Sequence, residues 1–283
     1  MHTWILARTT YAWIVRKPVY YFLLLAGGFL VLISPIFTLF EFYREEAVVR
    51  EMGVASLVLW GFLVALLTSG EVVTAELEDR TALMLLSKPI SRSGFLLGKY
   101  FGMMMALTMG ILFLSILLLL TYWWNFRLDA MDSPYFTNDL LTGRETVPAY
   151  IEHFLRNDAV LIGQSALLAL FQVALLAGAI VSFAAFLPFP ATGTAGVFVY
   201  ILSNMTAYIR QAADTSDSAL LVWGGRLLYY LFPNLGYLNL QHAFGEGEPV
   251  RATYLGMAFI YTGLYLSCMM TVACALFSRR EIR

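Results

Sequence analysis

Residues 74–102 have the sequence TAELEDRTALMLLSKPISRSGFLLGKYFG, a long polar interruption between apolar runs with a dense set of charges and breakers. Thr74 can cap a helix, and the carboxylates after it lie in the first turn or so, where they favour the positive end of the helix dipole. The second half of this helix is apolar on every side, which requires packing on something. Pro89 disfavours helix at Lys88, so the helix should end near Ser87. The stretch predicts a short helix, acidic at its start and buried at its end, lying across the mouth of two membrane helices.

The composition decides the class of protein. The chain has 283 residues, of which 60% are hydrophobic and 13% charged, with a mean hydropathy of +0.72. Soluble domains carry about 25% charged residues, so this is an integral membrane protein. The net charge of -1 gives no reason to expect a nucleic-acid partner. Cys268 and Cys274 both lie in the last apolar run, a spacing that predicts neither a disulfide framework nor a metal site.

Six apolar runs are long enough to span a bilayer, since roughly 20 helical residues cross about 30 Å of hydrocarbon. Residues 1–17 mix Trp and Tyr with Arg and Lys, which is typical of a helix in the headgroup layer. We therefore predict an all-α polytopic membrane protein with one transmembrane domain, residues 1–283. The predicted spans cover residues 18–40, 52–73, 95–124, 159–187, 192–209 and 254–277.

The segments between these runs differ in character. Residues 41–51 form a short charged loop, and residues 125–158 are polar and predict a loop outside the bilayer. Residues 210–252 form a second excursion, whose apolar part, residues 220–232, is too short to cross; it predicts a re-entrant or interfacial helix pair. Lys and Arg favour the N-terminal segment, the segment of residues 74–94 and the tail. These parts are therefore expected on the cytoplasmic side.

Sequence motifs for intrinsic catalysis are missing. Residues 94–100, GFLLGKY, lack the spacing, the Ser or Thr after Lys and the preceding strand of a phosphate-binding loop. The three histidines are scattered outside the spans, and HExxH, GxSxG and CxxC do not occur. Glu71 and Lys99 lie near span ends, where their side chains can snorkel to the surface, so no charged relay is expected near the midplane. These features disfavour an intrinsic hydrolase, a metalloenzyme and an ion-coupled carrier.

Residues 76–81 (ELEDRT), 85–92 (LLSKPISR) and 97–100 (LGKY) resemble the signature of ABC-2 type transporter permeases, the six-span membrane subunits of many bacterial exporters. The stretch YYLFPNLGYLNL, residues 229–240, is similar to the segment before the last span in the branch that includes permeases of the nitrous-oxide-reductase maturation and gliding-motility types. Arg80 departs from the pattern, because many members have Gly before the Thr.

The resemblance implies that the helix of residues 74–87 is a coupling helix docked in a cleft of a separate cytoplasmic ATPase subunit. That subunit would bind ATP and Mg and hydrolyse ATP, so this chain would carry no cofactor and would not itself be an enzyme. The expected location is the bacterial cytoplasmic (inner) membrane. The expected partners are the ABC ATPase, a second copy or a paired permease, membrane lipid and an external accessory protein, with no nucleic acid.

The resemblance also assigns individual residues. Contact with the ATPase falls on Glu76, Glu78, Arg80, Thr81, Ser87, Lys88, Pro89, Ser91 and Arg92, and entry into the third span falls on Gly98 and Lys99.

Each of these residues has a plainer interpretation. Glu76 and Arg80 can form an i,i+4 pair worth about 0.3–0.5 kcal/mol. Pro89 can be a structural helix breaker that contacts no partner, and Arg92 and Lys99 can anchor the helix at the headgroups.

Two pairs of small residues have two interpretations each. Gly98 with Gly102, and Thr192 with Gly196, form small-xxx-small steps, which pack helices within one subunit or across a dimer. For the whole chain, two alternatives to an exporter stay open. One is an ABC-associated membrane scaffold or mechanotransmitter that moves no substrate, and the other is an ATPase-independent secondary carrier.

Overall fold

The computed structural model describes residues 2–40, 45–75, 91–132, 157–215, 219–239 and 249–279, and within these ranges the regular structure is helical throughout. Short 3-10 turns cover Ser34–Phe40 and Leu235–Leu238, and a π-helical segment covers Gly70–Ala75. The α-helices are α1 His2–Val15, α2 Pro18–Ile33, α3 Glu45–Ser69, α4 Arg92–Asp132, α5 Ala159–Ala184, α6 Phe189–Asp214, α7 Ala219–Leu231 and α8 Ala252–Arg279.

Five helical stretches are long and apolar enough to cross a membrane, which confirms the multi-pass, all-helical character of the protein. They are Pro18–Phe37, Ala47–Val73, Ser93–Asn125, Ala159–Ala184 and Ala252–Ser278. The sixth predicted run, residues 192–209, is also helical, as part of the 26-residue α6. Thr, Gly, Ser and Asn residues are spread along 192–209 and lower its mean hydropathy, and this run is not among the five.

Two of the predicted loops are helical in part. The loop prediction at residues 41–51 is wrong from Glu45 onward, where α3 has already begun. The external-loop prediction at residues 125–158 is wrong for residues 125–132, which continue α4. No Gly or Pro occurs between Gly110 and Pro134, so nothing in the covalent chain stops the helix where its side chains become polar.

Helix α5 lies at the centre of the bundle and packs against α3, α4, α6 and α8. In the most apolar 18-residue stretch of α5, 72% of the residues are buried, whereas in that of α8 17% are buried. The crossing of α3 and α4 depends on a missing side chain: a Cβ atom added to Gly110 would lie 1.8 Å from Cη2 of the buried Trp60. The core is therefore formed by α3, α4 and α5, and α8 covers only one side of it.

Helix α1 packs lengthwise on the first half of α4. A Cβ atom added to Gly102 would lie 2.5 Å from the backbone oxygen of Ala7, and one added to Gly98 would lie 2.8 Å from Cδ2 of Leu6. This small-xxx-small step is thus used for helix packing within the chain. The same holds for Thr192, which is buried, and for Gly196, where an added Cβ would lie 2.6 Å from Leu66.

Candidate functional site

The predicted coupling segment, residues 74–94, is described only at its two ends. The structure therefore leaves the short helix predicted from the acidic start and the proline an expectation, and it describes how the chain enters and leaves this segment. Seven of the residues assigned to ATPase contact lie outside the described residues, namely Glu76, Glu78, Arg80, Thr81, Ser87, Lys88 and Pro89.

The chain enters the segment through the π-helical turn of residues 70–75. Here Glu71 forms an ion pair and hydrogen bond with Lys17. Lys17 lies in the short link between α1 and α2. The Lys17 ammonium also lies 3.8 Å from the centroid of the Trp13 ring. A Cβ atom added to Gly70 would lie 1.8 Å from the ring of Phe189, the first residue of α6. The turn thus touches the start of α2 and the start of α6, and π-helical turns are frequent at functional sites.

The chain leaves the segment at Ser91, which caps α4. The Ser91 hydroxyl accepts a hydrogen bond from the backbone N–H of Gly94 at 3.1 Å, and its carbonyl accepts one from Phe95 at 3.0 Å. This is the geometry of an N-cap. Arg92 is the first residue of the helix. The described contacts of Ser91 are structural, and its contact with an ATPase stays a prediction.

Lys99 does not anchor α4 at the membrane surface, because its side chain is buried inside the protein, with 4% of the residue exposed. Its ammonium lies 5.5 Å from the centroid of the Phe95 ring, within range of a cation–π contact. Phe95 in turn stacks on Phe277 of α8, with ring centroids 6.3 Å apart. The snorkelling and headgroup-anchor predictions are therefore wrong for Lys99, whose position on α4 faces the bundle.

At the opposite end of the same helices lies a buried charged cluster that the sequence did not reveal. The Arg50 guanidinium on α3 donates to the Tyr122 hydroxyl on α4 at 2.8 Å and to the Asp158 carboxylate, just before α5, at 3.3 Å. Tyr122 also donates to Asp158 at 3.3 Å, and all three residues are buried. Both charges had been placed in loops. The position of the two residues in the sequence was a signal that could have revealed the cluster. Opposite charges lie just before two apolar runs that begin at the same side of the bundle.

A second feature missed by the sequence analysis is a row of tyrosines on α8. Tyr254, Tyr261 and Tyr265 share one helical face and contact backbone atoms of the last residue of α7 and of the chain just after it. Tyr265 donates to the carbonyl of Leu231 and Tyr254 donates to that of Tyr237, while Tyr261 accepts a hydrogen bond from the N–H of Asn234 at 2.9 Å. Residues 231–237 therefore run back along α8, held by side chains at three heights.

Beside this return lies a polar cleft of about 640 Å³ between α6 and the segment after α7. The Arg210 guanidinium lies 4.7 Å from the centroid of the Tyr229 ring. The Asp214 carboxylate forms ion pairs with Arg210 at 3.7 Å and with Arg226 at 3.5 Å. The cleft is lined by Asn204, Ala207, Tyr208, Arg210, Gln211, Asp214, Thr215, Tyr229, Asn234, Gly236, Tyr237 and Asn239.

Two tyrosine hydroxyls in this cleft interact directly. Those of Tyr229 and Tyr237 lie 3.0 Å apart. The cleft therefore offers hydroxyl, amide and guanidinium donors on one side of the molecule.

An apolar groove of about 580 Å³ lies on the other side of the same segment, between α5, α6 and α8. Aromatic and aliphatic side chains dominate it. Its lining residues are Ala179, Ser182, Phe183, Phe186, Val199, Tyr230, Leu231, Phe232, Pro233, Tyr265, Cys268, Met269, Val272, Ala273 and Leu276.

Among the described residues, no three His, Cys, Asp or Glu side chains come together in a way that could hold a metal ion. No protein-family model matches this chain, and no curated protein matches it. The likeness to ABC-2 permeases therefore rests on the residues of the chain alone.

Proposed function

We propose that this protein is the permease subunit of an ATP-binding cassette exporter, driven by a separate ATPase subunit that docks on residues 74–94. The observation that supports the proposal is the set of contacts that the two ends of this segment make with other helices. The entering turn contacts Lys17 and Phe189, and the leaving end is capped by Ser91 on α4. Movement of the segment would thus act on α2, α3, α4 and α6 together, as a coupling element requires.

The proposed topology has six spans, with α6 as the fifth and α7 as a re-entrant helix. Thirteen residues of α7 extend about 20 Å, short of the roughly 30 Å that a span needs. Non-helical backbone at membrane depth must find partners inside the protein. The α8 tyrosines supply such partners for Leu231, Asn234 and Tyr237, which supports a return within the membrane.

The test is co-purification of the chain with its native partners in detergent, followed by ATPase assay. The variant is the double change Glu76→Ala, Glu78→Ala, and the matched control is Glu145→Ala, Glu152→Ala in the predicted external segment. We expect an ATP-hydrolysing subunit to accompany the wild type and the control, and the Glu76, Glu78 variant to release it or to lose coupled activity. Wild-type protein that stays intact without any associated ATPase would contradict the proposal and favour the secondary carrier.

The scaffold or mechanotransmitter alternative needs a different measurement. A permease that moves cargo raises ATP hydrolysis when cargo is present, whereas a scaffold does not. ATPase activity of the reconstituted complex in liposomes, with and without cell lipid extract and soluble metabolites, separates the two.

A further inference from the structure

The polar cleft and the apolar groove share one wall, which is a single short stretch of chain. Tyr229 and Asn234 line the cleft, and the four residues between them, Tyr230 to Pro233, line the groove. On α6 the change from apolar to polar is equally abrupt. Val199 lines the groove and Asn204 lines the cleft, five residues or about 7.5 Å further along the helix. A polar and an apolar cavity therefore adjoin across one short stretch of chain.

The charge at the edge of the cleft favours an anion with a single charge. The guanidinium of Arg210 in the cleft lining and that of Arg226 beside the lining share the one carboxylate of Asp214, so these three side chains carry one net positive charge. All three side chains are about half exposed, and each guanidinium has five N–H donors, more than Asp214 can accept. A phosphodiester carries one negative charge and accepts such donors well.

The groove beyond the shared wall suits a hydrocarbon chain. The Ser182 hydroxyl in the groove already has a hydrogen-bond acceptor, since it donates to the carbonyl of Gly178 at 2.7 Å. Side chains at its edge are exposed on the protein surface, including Tyr230 at 76% and Leu231 at 62%. A chain entering from the bilayer would therefore meet apolar walls and no unsatisfied Ser182 donor.

We propose that these two cavities form one binding site for an anionic phospholipid, with the phosphodiester against Arg210 and Arg226 and one acyl chain in the groove. This goes beyond the proposed export function and does not depend on it, because lipid binding needs no ATPase. Bound lipid would contact both α7 and α8, so it would stabilise the position of residues 232–239 between these helices.

The test is lipid titration of the delipidated protein, followed by native mass spectrometry. Phosphatidylglycerol and phosphatidylcholine with identical acyl chains are compared, and glycerophosphoglycerol, which is also a phosphodiester, serves as the soluble headgroup. Both lipids carry the phosphodiester, but the trimethylammonium group of phosphatidylcholine is repelled by the net positive charge of Arg210, Arg226 and Asp214, so we expect phosphatidylglycerol to bind about tenfold more tightly. Binding of glycerophosphoglycerol alone at similar affinity would instead identify a soluble anion as the ligand and overturn the acyl-chain part.

Two variants separate the halves of the site. Arg210→Gln should remove the preference for phosphatidylglycerol, while its control Arg251→Gln, an exposed arginine outside the cleft lining, should keep it. Cys268→Trp fills the groove and should weaken both lipids, while Leu264→Trp, exposed on α8 outside the groove lining, should weaken neither. Equal binding of the two lipids to wild type, or equal effects of a variant and its control, would overturn the proposal.

A second copy of the chain could cover the same face instead. Cys268 is an exposed free thiol in the groove, so a short bifunctional thiol reagent reports directly on this arrangement. Efficient Cys268 to Cys268 cross-linking between copies in the membrane would show that protein fills the groove and would contradict the lipid site. The expected result is no cross-link at Cys268.

Discussion

The two ends of α3 are held by ion pairs of very different kinds. At one end Arg50 and Asp158 are buried, with side chains 3% and 9% exposed, and Tyr122 bridges them. At the other end Lys17 and Glu71 lie at the surface, with side chains 28% and 45% exposed. The buried contact ties α3 to α4 and α5 in one cluster, and the surface contact joins a π-helical turn to the start of α2.

The two ion pairs differ in what it costs to break them. Breaking a buried ion pair leaves an uncompensated charge in a medium of low polarity, which costs several kcal/mol. Breaking an exposed pair exchanges it for water at little cost. The ion pair next to residues 76–90 can therefore open at little cost, while the cluster at Arg50 keeps its geometry. This is the asymmetry that a membrane subunit receiving a push at one end would need.

The largest effect is expected from Asp158→Ala. It removes the carboxylate that lies 3.3 Å from the buried Arg50 guanidinium and should lower the free energy of unfolding by about 3–5 kcal/mol. Unfolding in detergent micelles, followed by tryptophan fluorescence, measures this. The double variant Arg50→Met, Asp158→Leu should recover most of the loss. A single variant that loses less than about 1 kcal/mol would show that the pair does not fix this end.

The next effect is expected from Tyr122→Phe, which removes only one hydroxyl from the cluster. Arg50 and Asp158 keep each other, but each loses one hydrogen bond, so the cost should be about 1–3 kcal/mol. The same unfolding assay applies, with Tyr11→Phe on α1 as control. If Tyr122→Phe costs as much as Asp158→Ala, the tyrosine and not the ion pair would be the main connection.

A smaller effect on stability is expected from Lys17→Ala or Glu71→Gln. Each should change the free energy of unfolding by about 0–1 kcal/mol, because the pair is exposed. If this end moves during coupling, both variants should alter ATPase activity of the co-purified complex despite the small stability change. The charge exchange Lys17→Glu, Glu71→Lys should then restore that activity. Unchanged ATPase activity in all three variants would separate this contact from coupling.

The smallest effect is expected from salt. At about 1 M ionic strength the screening length falls to about 3 Å, which weakens exposed pairs far more than buried ones. The stability difference between wild type and Glu71→Gln should vanish in high salt, while that between wild type and Asp158→Ala should persist. Parallel loss of both differences would contradict the distinction between the two ends.

Much of the helical layout follows from hydropathy, but the contacts that distinguish the two ends do not. Runs of about 20 apolar residues predict spans directly, and five of them lie in helices long and apolar enough to cross. Hydropathy places a charged residue outside the membrane, so Arg50 and Asp158 were assigned to loops although both are buried. The same rule wrongly placed Lys99 at the surface.

The cleft and the α8 tyrosines were missed for a different reason. Their partners are backbone atoms and side chains far away in the chain, such as Leu231 for Tyr265, and no local pattern encodes these pairs. The period of Tyr254, Tyr261 and Tyr265 on one helical face was visible in the sequence. Without the non-helical backbone beside them, that period could equally have indicated an interfacial aromatic belt.

The unbroken length of α4 has a mechanical consequence. Its 41 residues form a rod of about 60 Å, in contact with α3 at Tyr122, about 45 Å from Arg92 and about 15 Å from Asp132. Rotation of α4 about this contact would move the Arg92 end about three times as far as the Asp132 end, in the opposite direction. A displacement of about 3 Å at the Arg92 end would then correspond to about 1 Å at the Asp132 end.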